Sequence, residues 1–251
     1  LFSFLKKVYN INKLLCGDWM NSNLFDNIEN VKSKIENASK RVGRASNEVL
    51  LLAVTKTVDT DIINEAISMG IVAVGENKPQ ELTRKFDEIG PIVKWHQIGS
   101  LQTNKVKYII DKVDLIHSLD RFALAEEIEK RASAIDREIE CLVQVNISGE
   151  ESKHGLPKEE AIDFIRNCSE KYHRIKIVGL MTMAPFDASE TEIRDVFSEL
   201  KKLSENISVL NFENVEMREL SMGMSNDFEI AIEEGATIVR VGSMIFGDRK
   251  Y

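Results

Sequence analysis

VLLLAVTK, Val49 to Lys56, is the stretch on which the fold turns. It is a short run of apolar and β-branched residues that ends on a lysine, and comparable runs recur downstream with helical patterns between them. They are Ile71 to Gly75, Val93 to Ile98, Leu115 to Ser118, Glu140 to Ile147, Ile175 to Met181, Glu216 to Ser221 and Thr237 to Val241. Strand-length runs alternating with helix-length patterns mark repeated βα units and a parallel sheet. The intervening patterns are helical in period: Ala161, Ile165, Cys168 and Tyr172 recur at steps of four, three and four, and Ile193, Val196, Leu200 and Leu203 follow the same rule. Eight such units predict an α/β chain folded as a single (β/α)8 TIM-type barrel. A doubly wound sheet would carry a GxGxxG turn after its first strand, and none is present.

Upstream, Leu24, Ile28, Val31, Ile35, Ala38 and Val42 form one apolar stripe, which predicts an additional N-terminal helix stopped near Gly43. The opening LFSFLKKVYNINKLLCGDWM is interrupted by Lys6 and Lys7 and has no small-residue cleavage site, so it does not read as a signal peptide. Residues 1–19 are expected to be a non-native or poorly ordered extension, with the barrel over 20–251.

The composition narrows the function. In 251 residues, 33 Lys and Arg against 41 Asp and Glu leave a net charge of -8, opposite in sign to the footprint of a nucleic-acid binder. No apolar run approaches the roughly 18 residues of a membrane span. Cys16, Cys141 and Cys168 are odd in number and widely spaced, which fits a reducing, cytoplasmic compartment better than a disulfide framework. The four histidines show no metal-binding spacing, and GSLQTNK at 99–105 lacks the second glycine of a phosphate loop.

Active sites on barrels lie at the C-terminal strand ends, so polar residues there carry the chemistry. Lys56 shares the alternating face of Leu52 and Val54, which points its amine at the barrel mouth. Apolar walls disfavour an ammonium and free an amine to condense with an aldehyde, although a lysine after a strand can also simply reach out to water. In LSMGMSND, Leu220 to Asp227, Ser225 precedes a helix pattern, the outline of an anion site or of an ordinary N-cap. Arg240, in TIVRVG, shares a face with Ile238 and Gly242, and an arginine inside a barrel strand needs an acceptor. Barrel closure sets the last strand beside the first, and thus Arg240 beside Lys56. The implied ligand is small, aldehyde-bearing and phosphorylated. Pyridoxal 5'-phosphate fits, with Lys56 at the aldehyde, Arg240 facing the ring nitrogen, and Ser225 with the Gly242 and Ser243 amides at the phosphate.

Several segments resemble one family, the pyridoxal phosphate homeostasis proteins, single-domain relatives of the alanine racemase N-terminal barrel. They are AVTK (53–56), GEN with QE (75–77 and 80–81), WHQIGSLQTNK (95–105), VNISGEESKHG (145–155), GLMTM (179–183), LSMGMSNDFEIAIEEG (220–235) and RVGSMIFGDR (240–249). The resemblance implies a cofactor barrel with Lys56 as its Schiff-base lysine, Asn77 near the cofactor, Arg240 at the ring nitrogen, and Ser225, Gly242 and Ser243 at the phosphate. Ser221 and Met224 are expected in the same loop. Lys78, Pro79, Ser100 and Ser243 depart from the family pattern, and of these only Ser243 is expected to touch the site.

What the resemblance implies is a cytoplasmic carrier or regulator of pyridoxal 5'-phosphate without a catalytic reaction, working as a monomer and passing its cofactor to apo-forms of pyridoxal phosphate enzymes. The alternative is an amino-acid racemase of the alanine racemase type. That enzyme draws a second proton-transfer base from a partner subunit's further domain, whereas this sequence is expected to end with the barrel. An aldolase using Lys56 directly fits the anion and ring-nitrogen positions less well.

Overall fold

The computed structural model describes residues 22–150 and 154–247. The expected extension at 1–19 lies outside them. Eight parallel strands close into a barrel: β1 (Leu50–Val54), β2 (Ala73–Glu76), β3 (Lys94–Gln97), β4 (Leu115–Leu119), β5 (Ile139–Asn146), β6 (Ile175–Met181), β7 (Val215–Ser221) and β8 (Ile238–Val241). Each pairs with its sequence neighbour, and β8 closes the ring on β1 with Leu50 opposite Ile238, Leu52 opposite Arg240 and Ala53 opposite Val241. Every expected strand is present, each within two residues of its expected ends.

Outside the barrel run α1 (Ser22–Arg41), α2 (Thr60–Ser68), α3 (Pro79–Ile89), α4 (Phe122–Ala134), α5 (Ala161–Lys171), α6 (Glu190–Ser208) and the short α7 (Phe228–Glu233) and α8 (Ser243–Phe246). A 3-10 helix, Thr103–Tyr108, joins β3 to β4. The apolar stripe of α1 is buried from Leu24 to Ala38, and the helix packs on α7 and α8. Asn27 donates to the Ile245 carbonyl at 3.0 Å, and Arg41 bridges Glu229 and Glu233, so α1 braces the turn that follows β8.

Strand alternation divides the core in two. Leu52, Ala73, Leu115, Leu142, Val178, Met181 and Ile238 fill the barrel interior, while Ala53, Val74, Ile116, Cys141 and Val239 face the helices. Cys141 and Cys168 are core residues as expected, and burial pushes the Cys168 thiol up to about 12 and Cys141 further. Among the described residues no helix is long and apolar enough to cross a membrane.

Candidate functional site

A cavity of about 580 Å³ opens at the C-terminal strand ends. Its walls bring together Val54 and Lys56 after β1, Asn77 after β2, Ile98 to Ser100 after β3, Met224 to Asp227 after β7, and Arg240, Gly242 and Ser243 from β8 and the turn into α8. Seven of the eight expected site residues therefore line one space: Lys56, Asn77, Met224, Ser225, Arg240, Gly242 and Ser243. Lys56 is there because the inward face of β1, Leu50, Leu52 and Val54, continues by two residues into the cavity.

Ser221 is the exception. It ends β7, as the strand run to Ser221 predicts, and so does not share the loop of Met224; it is fully buried and points its hydroxyl at Arg240 and His117. The N-cap of α7 is Asp227, which leaves Ser225 in the turn before the helix and not at its cap. That turn is pinned by Asp227 Oδ1, which accepts the Met224 amide at 2.5 Å. Gly223 precedes it at φ +90, where a Cβ would lie 2.6 Å from the Ala231 Cβ and 2.8 Å from the Phe228 Cα. Only glycine brings the loop this close to α7.

Arg240 is 5% exposed. Its Nη1 donates to Ser221 Oγ at 2.7 Å and its Nη2 to the Thr182 carbonyl at 2.9 Å, and among the described residues it makes no ion pair. Burial pulls the guanidinium down to about 10, countered by the charge of Asp227, and it stays a cation at neutral pH. Burial raises the Asp227 carboxyl in turn.

Behind Arg240 a polar chain crosses the barrel interior. Ser221 Oγ lies 2.9 Å from His117 Nδ1, and His117 Nε2 lies 2.9 Å from His96 Nδ1. Guanidinium can only donate, so Ser221 accepts from Arg240 and keeps its own proton for His117 Nδ1. His117 then carries its proton on Nε2 and donates to His96, an assignment from bonding logic. Both imidazoles are neutral: burial brings His96 down to about 3 and His117 well below its ordinary value.

The ends of β2 and β3 are locked together beside the cavity. Gln97 Nε2 donates to the Asn77 carbonyl at 2.8 Å and to the Gly99 carbonyl at 3.1 Å. A Cβ on Gly99 would sit 2.5 Å from the Asn77 oxygen, so this approach also requires glycine.

Ser100 lines the cavity, which corrects the expectation that only Ser243 among the departing residues would touch the site. Sequence reasoning also passed over Gln144, His154, Asp227 and the loop Met183 to Phe186, all of them in the wall. Their signal was available, since each lies on or after a barrel strand end. His96 and His117 were set aside for want of metal spacing. Among the described residues there is no group of three or more His, Cys, Asp or Glu placed to hold a metal.

The family described as alanine racemase, N-terminal domain, matches residues 27–250. A pyridoxal phosphate homeostasis protein of Aquifex aeolicus is 42% identical over 230 residues, covering 91% of this chain and 100% of that protein. The structure of PipY from Synechococcus elongatus with PLP bound superposes with a TM-score of 0.75 at 30% identity, covering 85% of this chain and 100% of that one. Alanine racemase of Clostridium difficile shares the fold alone, with a TM-score of 0.74 at 12% identity over 92% of this chain and 58% of that one.

Proposed function

The chain belongs to the alanine racemase N-terminal domain family and, within it, to the pyridoxal phosphate homeostasis proteins, and on that footing we propose that it binds pyridoxal 5'-phosphate at Lys56 as a carrier or regulator without a dedicated reaction. The observation that carries this reading is the shared cavity of Lys56, Arg240, Ser225, Gly242 and Ser243. The residues fit the group. Arg240 brings to the wall a buried cation whose two acceptors are neutral, Ser225, Ser243 and the loop amides bring donors, and the space falls within the roughly 300–1,000 Å³ of small-molecule sites. When bound, the cofactor supplies an aldehyde that condenses with a primary amine, a pyridine nitrogen and a phosphate dianion.

Each residue then has one task. Lys56 is the covalent attachment point. Arg240 would be the residue at the ring nitrogen, where a fixed cation would disfavour a proton and so weaken the ring as an electron sink. Ser225, from the turn before α7, and the amides of Gly242 and Ser243, where the chain enters α8, would hold the phosphate. Asn77 and Met224 line the same space and would lie near the cofactor, and Ser221 would act through Arg240. All these residues come from one barrel, so a single chain is a complete binding unit. The buried thiols of Cys141 and Cys168 suit a reducing cytoplasm.

A racemase reading draws on one observation, the presence of His154 in the cavity wall, where it offers a second base besides Lys56. The cationic Arg240 weighs against it. The two readings part on turnover and release. A carrier gives no inversion of L- or D-amino acids above free cofactor and restores activity to apo-forms of pyridoxal phosphate enzymes. Rapid inversion at Cα, lost in Lys56→Ala and in His154→Ala, would replace the carrier with the racemase.

A further inference from the structure

Beside β1 lies a buried ion cluster that the cavity does not use. Lys85 on α3 is wholly buried, and its ammonium donates to three acceptors: the Thr55 carbonyl at 2.7 Å, Glu76 Oε1 at 2.8 Å and Glu81 Oε1 at 2.8 Å. All three of its protons are used. Thr55 Oγ1 donates to the same Glu76 oxygen at 2.6 Å, and the Thr57 amide donates to the same Glu81 oxygen at 2.8 Å. The cluster therefore grips the residue before Lys56 and the residue after it.

The second grip acts on a strained position. Thr57 has φ +67, in the left-handed region that a β-branched residue rarely enters. Such strain persists where surroundings over-determine it, and here the Glu81 carboxylate does so through the Thr57 amide. The turn ends β1 at the cavity mouth instead of letting the strand run past it. A buried ion pair is weak evidence for stability, because an apolar residue of similar volume often serves as well. Its placement on both flanks of Lys56 gives it a different purpose. Burial raises the Glu76 carboxyl; for Glu81 the Lys85 and Thr57 hydrogen bonds outweigh burial and hold it low, as the anion that an amide prefers.

We propose that Lys85, with Glu76 and Glu81, is the positioning device of the attachment lysine: it fixes the backbone on either side of Lys56 so that the amine meets the ligand's aldehyde. The inference rests on the cofactor reading above and accounts for the GEN and QE segments, of which only Asn77 lines the cavity.

The test compares pyridoxal 5'-phosphate with 4-deoxypyridoxine 5'-phosphate, which keeps ring and phosphate but has no aldehyde. Glu81 is one-fifth exposed at its side chain and Lys85 keeps Glu76 and the Thr55 carbonyl without it, so Glu81 variants are the ones to test, each first checked for a wild-type far-UV spectrum. Glu81→Ala, having lost the anchor of a strained residue, should bind the aldehyde ligand about tenfold more weakly while its affinity for the deoxy analogue stays within about threefold. Glu81→Gln keeps the acceptor for the Thr57 amide and should fall between Glu81→Ala and wild type. Thr57→Gly removes the strain and should restore most of the loss when added to Glu81→Ala. An unchanged Glu81→Ala, equal weakening for both ligands, or no restoration by Thr57→Gly would each overturn the proposal and leave the cofactor reading standing. A wild-type chain that binds the deoxy analogue no less tightly than the aldehyde, and forms no borohydride-stable adduct, would overturn both.

Discussion

Arg240 donates from Nη1 to Ser221 Oγ at 2.7 Å, and this bond makes the guanidinium the last member of a chain that passes through His117 to His96. Four strands, β3, β4, β7 and β8, contribute one residue each. The cation at the cavity is thus oriented from inside the barrel, by groups outside the cavity wall.

The chain makes the fold sensitive to acid. His96 takes up a proton near pH 6.5 when unfolded but only near 3 when folded, so between those values unfolding binds a proton. Its contribution is full above about 6.5 and is lost as pH falls toward 3. Urea midpoints measured at about pH 7 and about pH 4.5 should drop less in His96→Gln than in wild type. Equal drops would show that His96 does not titrate this way.

Ser221→Ala strips the acceptor from Arg240 and the donor from His117 at once. Leaving buried groups unpaired should cost about 1–3 kcal/mol in denaturant unfolding. Affinity for the cofactor should fall with it, because Arg240 loses one of its two anchors, and unchanged stability and affinity would remove Ser221 from the account.

How far these features could be read beforehand depends on how local they are. Lys56 and Arg240 were legible because strand parity alone sends them inward with Leu52 and Ile238, and ring closure then makes them neighbours. The strands themselves were legible from short β-branched runs. The strand end at Ser221 was legible as well; what was not legible is that its side chain turns inward to Arg240 and His117, away from the loop of Met224 with which it was grouped. The Lys85 cluster was hidden for a different reason: a charged residue on α3 reads as solvated until the helix is docked on β1 and β2. Ser225 was assigned to a helix start that Asp227 takes.

Gly223→Ala tests the loop below Ser225. With φ +90 and contacts of 2.6 and 2.8 Å awaiting its Cβ, the substitution meets both strain and overlap. It should destabilise the protein by about 1–3 kcal/mol and loosen phosphate binding, as calorimetry and titration with pyridoxal 5'-phosphate would show. A neutral outcome would mean that the loop relaxes freely.

Pyridoxal without its phosphate should bind at least about a hundredfold more weakly, since each charge-assisted hydrogen bond is worth roughly 1.5–3 kcal/mol and several are lost. Ser225→Ala should narrow that gap by weakening the phosphorylated ligand selectively. Equal titration curves for the two ligands would contradict the assignment of Ser225, Gly242 and Ser243.

The most direct measurement is reduction of the cofactor-loaded protein with borohydride, followed by peptide mapping. One stable adduct is expected, on Lys56, absent from Lys56→Ala. An undiminished adduct in that variant, or modification mapped to another lysine such as Lys105, would contradict attachment at Lys56.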